Sequence, residues 1–108
     1  MTSRRGLANR RASITFSFEV GGLAYVATVS RYPDGAVGEI FLSNDKSNST
    51  ADVNARDAAI ACSLALQFGA DPETIRSALC RDADGTASGP LGAALDLIFG
   101  QERWELVR

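Results

Sequence analysis

The chain has 108 residues, 45% of them apolar and 22% charged, which suits one folded core and is too little for two. It contains no histidine, which removes the usual general base, the usual zinc ligand and the His-dependent nucleophile triads. The net charge of −2 divides unevenly: residues 1–13 carry Arg4, Arg5, Arg10 and Arg11 and no acid, while the rest holds seven bases against thirteen acids.

A basic arm ahead of an acidic body reads either as a flexible tail that folds back on the body or as a contact for nucleic acid or a nucleotide-rich partner. The acidic body argues against direct DNA binding. No apolar run approaches the roughly 20 residues that span a bilayer. The N-terminal arginines have no apolar stretch behind them, so a secretory signal is not expected and the cytoplasm is the expected location. Cys62 and Cys80 form no CxxC pair and read as reduced, buried thiols.

Residues 1–12 lack periodicity, and order is expected from Ile14. Ile14, Phe16, Phe18 and Val20 alternate with Thr15, Ser17 and Glu19, the period of a half-buried strand. Gly21-Gly22 supplies the positive φ of a two-residue hairpin turn, and Leu23–Ser30 follows as the second strand. The register this turn imposes pairs Val20 with Leu23, Phe18 with Tyr25, Phe16 with Ala27 and Ile14 with Val29. Each of these pairs is apolar and lies on one face, with Glu19 opposite Ala24, Ser17 opposite Val26 and Thr15 opposite Thr28 on the other, and a one-residue slip would destroy that segregation. Arg31–Gly35 is a turn. Ala36–Leu42 reads as a third strand in a meander, with Gly38 marking a bulge or a close backbone approach.

Ser43–Thr50 is a polar loop. A helix is expected from about Ala51 or Asp52 to Phe68, with Ser49, Thr50 and Asp52 as candidate N-caps and Gly69 just past its end. Val53, Ile60, Leu64 and Phe68 mark a bulky apolar stripe, beside small residues at Ala58, Ala61, Cys62 and Ala65. The expectation is a central helix touching the sheet on one side and another helix or a second subunit on the other. Asp71-Pro72-Glu73 starts a second helix, 72–80, that buries Ile75 and Leu79. Pro90 opens a third through Phe99, Gly100 interrupts it, and the tail presents Trp104 to the core or to another subunit. The expected fold is α+β: a three-stranded antiparallel meander followed by three helices packed on one face.

The loop before the first helix is the candidate site. Lys46, Ser47, Ser49 and Thr50 lie where free backbone N–H groups and the helix dipole favour an anion, and capping alone also accounts for Ser49 and Thr50. The glycines of a P-loop are absent. Asp82-Ala83-Asp84-Gly85 has too few acids for a calcium loop and reads as a turn. Asp52 and Asp57 do not converge on one helix face. No catalytic or metal-ligating residue is assigned.

Three segments, taken together, resemble the TSCPD domain family. They are GEIFL (38–42) with Lys46 and Ser49-Thr50, then SLALQFGADPETIRSAL (63–79), then GPLGAALDLIF (89–99). In that family a Gly-Glu-Leu-Phe-like strand leads into a Gly-Lys-x-Gly-Ser-Thr-like loop, a helix with Leu-Ala-Leu-Gln-Tyr-Gly and an Asp-Tyr-Ile-Phe-like helix. Such domains occur at the C-terminal end of adenosylcobalamin-dependent ribonucleotide reductases and as short separate proteins. This sequence lacks the Thr-Ser-Cys-Pro-Asp string and any C-terminal Cys pair, and it has Asn44 and Asn48 where loop glycines would stand.

The resemblance covers roughly residues 14–100, which are expected to form a TSCPD-like domain between the flexible basic arm over 1–13 and a tail over 101–108. It implies a non-catalytic accessory or nucleotide-binding module tied to deoxyribonucleotide synthesis. The anion contacts would be Lys46, Ser47, Ser49 and Thr50, supported by Arg4, Arg5, Arg10 and Arg11. Expected partners are a nucleotide, a ribonucleotide reductase and a second copy of the chain, with no membrane. Adenosylcobalamin is expected only through a reductase partner. The alternatives are a structural homodimer without a small ligand and a small protein that sequesters nucleotide signals.

Overall fold

Gly21 and Gly22 take φ values of 58° and 77°, the pair of left-handed residues that a two-residue hairpin turn demands. They join β1 (Ala12–Val20) to β2 (Leu23–Arg31), and the register runs from Val20 opposite Leu23 to Ala12 opposite Arg31, as the alternation requires. The computed structural model describes residues 3–107, with side chains described up to Gly100. β1 begins at Ala12, two residues ahead of the expected start.

The third strand, β3 (Val37–Asn44), pairs antiparallel with β2, so the sheet order is β1-β2-β3. Ser30 faces Glu39 and Arg31 faces Val37, so Gly38 is passed over in the pairing. That is the bulge anticipated for this glycine. Three helices follow: α1 (Thr50–Gln67), α2 (Pro72–Ala78) and α3 (Pro90–Val107). The chain is thus α+β, a three-stranded meander followed by three helices. α3 runs on through Gly100, which does not interrupt it.

One sheet face and the helices enclose the core. Tyr25, Ala27 and Val29 from β2 and Ile40 and Leu42 from β3 meet Ala55, Ala59, Cys62 and Leu66 of α1 and Leu91, Leu95 and Ile98 of α3. β1 contributes Phe16, Phe18 and Val20 only in part, and Ile14 is 52% exposed. The apolar face of the hairpin therefore fades toward the β1 edge.

The faces of α1 differ from expectation. Val53, Ile60, Leu64 and Phe68 are exposed, while Ala55, Ala59, Cys62 and Leu66 face inward with Asp52, Ser63 and Gln67. The reason is that α1 lies along the outer edge of β3, where free backbone groups need polar partners at short range. Ser63 Oγ accepts from the Ile40 N–H at 2.9 Å and donates to the Ile40 carbonyl at 3.0 Å. Gln67 Nε2 donates to the Gly38 carbonyl at 3.0 Å, and Asp52 Oδ1 accepts from the Asn44 N–H at 2.9 Å. Small side chains between these polar ones let the helix come close enough for them to reach.

Two further expectations are corrected. α2 ends at Ala78 and buries no residue fully, although Ile75 and Leu79 pack against the core. Cys80 lies beyond α2 and is exposed, whereas Cys62 is buried. The position given to Trp104 falls outside the described side chains.

Candidate functional site

The loop between β3 and α1 is organised around a fixed carboxylate. Ser49 is the N-cap, its Oγ accepting from the Asp52 N–H at 3.1 Å and donating to the Lys46 carbonyl at 2.7 Å. Asp52, three residues on, reaches back to accept from the Asn48 N–H at 3.0 Å as well as from Asn44. The pattern departs from a capping box: the aspartate at the third helical position takes the amide of Asn48, the residue before the N-cap, while the N-cap's own N–H goes to the Lys46 carbonyl. Asn48 holds a left-handed φ of 62°, a conformation asparagine tolerates better than most residues, at a position where the family resemblance would place a glycine.

The backbone N–H groups of Asn44 and Asn48 keep the Asp52 carboxyl below the ordinary carboxylate range, against the opposing effect of desolvation. Arg56 adds to this from 3.8 Å. Asn44 Oδ1 accepts from the Lys46 N–H at 3.0 Å, and the Ser49 N–H donates to the Lys46 carbonyl at 3.2 Å. Among the described residues, Lys46 Nζ and the hydroxyls of Ser47 and Thr50 form no hydrogen bond or ion pair. The structure brings Lys46, Ser47, Ser49 and Thr50 together on one short loop. The Ser49 hydroxyl is occupied by capping, and the other three groups face solvent.

The arm lies elsewhere. The Arg5 N–H donates to the Gln67 carbonyl at 2.7 Å, and Arg4 Nε donates to Gln67 Oε1. Gln67 ends an 18-residue helix about 27 Å long whose other end carries the candidate loop. Arg4 and Arg5 therefore do not converge with Lys46. The Arg5 guanidinium lies 3.7 Å from the centre of the Tyr32 ring and pairs with Asp34 at 3.3 Å, and the Tyr32 hydroxyl donates to the Arg5 carbonyl at 2.6 Å. Arg11 pairs with Glu39 at 2.9 Å. Arg10 has no such partner among the described residues. Arm and body enclose a cleft of about 430 Å³ lined in part by Arg5, Tyr32, Gln67 and Phe99.

Several other charged groups serve the fold. Asp96 on α3 accepts from Arg76 Nε at 2.7 Å and from both terminal nitrogens of Arg81 at 2.8 Å. Asp82 and Asp84 hold their own turn, accepting from the Ser88 hydroxyl and the Thr86 N–H. Burial pushes the Cys62 thiol up to about 11, so it is neutral at physiological pH. Among the described residues, no helix is long and apolar enough to cross a membrane.

Sequence alone did not single out Ser63 and Gln67 as polar residues facing the sheet. The signal available was their place, with Asp52, on the helix face that also carries Ala55, Ala59 and Leu66.

Comparison with known proteins places the chain beside one class of enzyme. It is 41% identical over 71 residues to a vitamin B12-dependent ribonucleotide reductase of Streptantibioticus cattleyicolor, a match covering 66% of this chain and 12% of that enzyme. The same identity over the same length relates it to the reductase of Streptomyces clavuligerus, of which it covers 7%. A reductase of Rhodopirellula baltica is 35% identical over 72 residues. The chain thus spans about a tenth or less of the length of the curated relatives it matches. No family model matches it, and no solved structure matches it.

Proposed function

We propose that this chain is a non-catalytic accessory module of deoxyribonucleotide synthesis, of the TSCPD kind. In this reading it docks on a ribonucleotide reductase in the cytoplasm and contacts a nucleotide through the loop before α1. The observation that carries the reading is the 71-residue match, at 41% identity, to a small part of vitamin B12-dependent ribonucleotide reductases. Similarity confined to so small a fraction of a large enzyme favours a part that works beside the catalytic machinery. Adenosylcobalamin then belongs to the reductase and reaches this chain only through that partner.

The exposed stripe of Val53, Ile60, Leu64 and Phe68 on α1 supplies an apolar face for such docking. A nucleotide phosphate at the loop would meet the Lys46 ammonium and the Ser47 and Thr50 hydroxyls at the positive end of α1. Asp52 already takes the Asn44 and Asn48 amides, so the ligand would depend on Lys46 more than on a backbone cradle.

Two measurements test this. Sedimentation of the chain with a purified vitamin B12-dependent reductase should give a complex that Ile60→Asp removes. Calorimetry with nucleoside triphosphates should show binding that Lys46→Ala weakens at least about tenfold. No complex with reductase overturns the docking role, and unchanged binding by Lys46→Ala overturns the loop assignment.

A further inference from the structure

The two edges of the sheet are treated differently. The outer edge of β3 is covered by α1, whose Asp52, Ser63 and Gln67 bond to the backbone of Asn44, Ile40 and Gly38. Among the described residues, the outer edge of β1 has no such cover. The two-residue turn makes Val20 and Leu23 a hydrogen-bonded pair, so alternate residues of β1 at 12, 14, 16 and 18 also point their backbone groups at β2. The N–H and C=O groups of Ser13, Thr15, Ser17 and Glu19 point outward. Among the described residues, none of them meets a partner outside the hairpin.

Natural sheets blunt such an edge with Pro, Lys, a bulge or a very short strand. β1 has nine residues, contains no Pro or Lys, and pairs with β2 without a register shift. Its apolar side is also left open. Ile14 and Leu97 are 52% and 42% exposed, and with Phe16 and Ile98 they line a cleft of about 230 Å³ between β1 and α3.

We infer that the β1 edge pairs with the β1 edge of a second copy, antiparallel, joining two sheets into one of six strands. This surface is distinct from the α1 stripe, and the inference does not depend on the reductase reading. Self-recognition follows from the sequence of the edge. With Thr15 opposite Thr15 of the second copy, Ser13 faces Ser17 and Ile14 faces Phe16, so apolar meets apolar and polar meets polar. The one charge within β1, Glu19, then faces Arg11 of the second copy, and the two-fold axis repeats that contact. Arg11 lies on the same open sheet face as Glu19; its guanidinium now reaches across the sheet to Glu39, so pairing with the second copy's Glu19 turns it toward the outer edge. An unrelated strand could use the same backbone groups, but would not be matched to Glu19 in this way.

The test is the self-association of the whole chain together with amide exchange. Equilibrium sedimentation should give the mass of two chains at high micromolar concentration. The amides of Ser13, Thr15, Ser17 and Glu19 should exchange at least about tenfold more slowly there than at low micromolar concentration. Ser17→Pro removes an outward N–H that the hairpin does not use and should return the monomer. Glu19→Arg, a surface change that leaves the backbone intact, should weaken association by about tenfold through like-charge contact with Arg11. A monomer at all concentrations overturns the inference. So does a dimer in which those four amides exchange at the monomer's rate, or one that Glu19→Arg leaves unaffected.

Discussion

The Tyr32 ring occupies the space that a Cβ on Gly38 would need: the built atom would lie 2.5 Å from Cε2 and 2.6 Å from Cζ of the ring. The glycine therefore serves the bulge and the close approach together. On the same ring rest the arm contacts, the Arg5 guanidinium at 3.7 Å and the Arg5 carbonyl hydrogen-bonded to the hydroxyl. Gly38→Ala should displace Tyr32 and cost about 1–3 kcal/mol, the usual scale for overpacking a tight contact. Urea unfolding measures the loss. Amide exchange should show Arg5 N–H, now bonded to the Gln67 carbonyl, losing protection in the variant.

Tyr32→Phe isolates one part of that effect. It keeps the ring and removes the bond to the Arg5 carbonyl, so the stability loss should be smaller, about 0.5–1.5 kcal/mol. Faster exchange should be confined to the arm. Equal losses in the two variants would show that the ring position contributes little.

Ser63 satisfies both the donor and the acceptor of Ile40 on an edge that is otherwise enclosed. Ser63→Ala leaves two buried backbone groups without that partner and should cost about 1–3 kcal/mol, although it enlarges no apolar contact. Ser63→Thr keeps the hydroxyl and separates the hydrogen bonds from simple tolerance of volume. Chemical denaturation of the three proteins provides the comparison.

Asp96 titrates low, its carboxyl held at about 2 by hydrogen bonds from Arg81 and then Arg76, against some desolvation. Its folded value lies below the unfolded value of 3.8, so its contribution is fully present above about pH 4 and is lost as pH falls through about 2. Stability should therefore fall as the pH drops across that window. Asp96→Asn should flatten this part of the profile and lower stability at neutral pH. Asp34, Asp52 and Asp84 are also lowered, so a residual slope remains in the variant.

The two thiols should be kinetically distinct. Cys80 is exposed, while Cys62 is buried with its thiol pushed up to about 11. A thiol reagent at pH 8 should label one cysteine per chain quickly and the second only at the rate of unfolding. Cys80→Ser should remove the fast phase. Rapid labelling of both in the folded protein would mean that α1 opens readily from the sheet.

Much of the architecture was legible in the residue order. The period-two alternation of Ile14–Val20 and the Gly21-Gly22 turn determined the hairpin register, because a slip would turn every apolar side chain to water. Ser49, Asp71 and Gly69 marked helix ends through local chemistry that acts within a turn of the chain. The candidate loop was legible as a cluster for the same reason: Lys46 to Thr50 are neighbours in sequence. What only the tertiary structure decided is how elements face one another. Apolar spacing identified a stripe at Val53, Ile60, Leu64 and Phe68, but burial went to the face with Asp52, Ser63 and Gln67. Unpaired backbone on the β3 edge has to be satisfied, and no periodicity of α1 records which edge it will meet. The separation of the arginine arm from Lys46 by the length of α1 was likewise invisible in the sequence, since charge counts carry no distances.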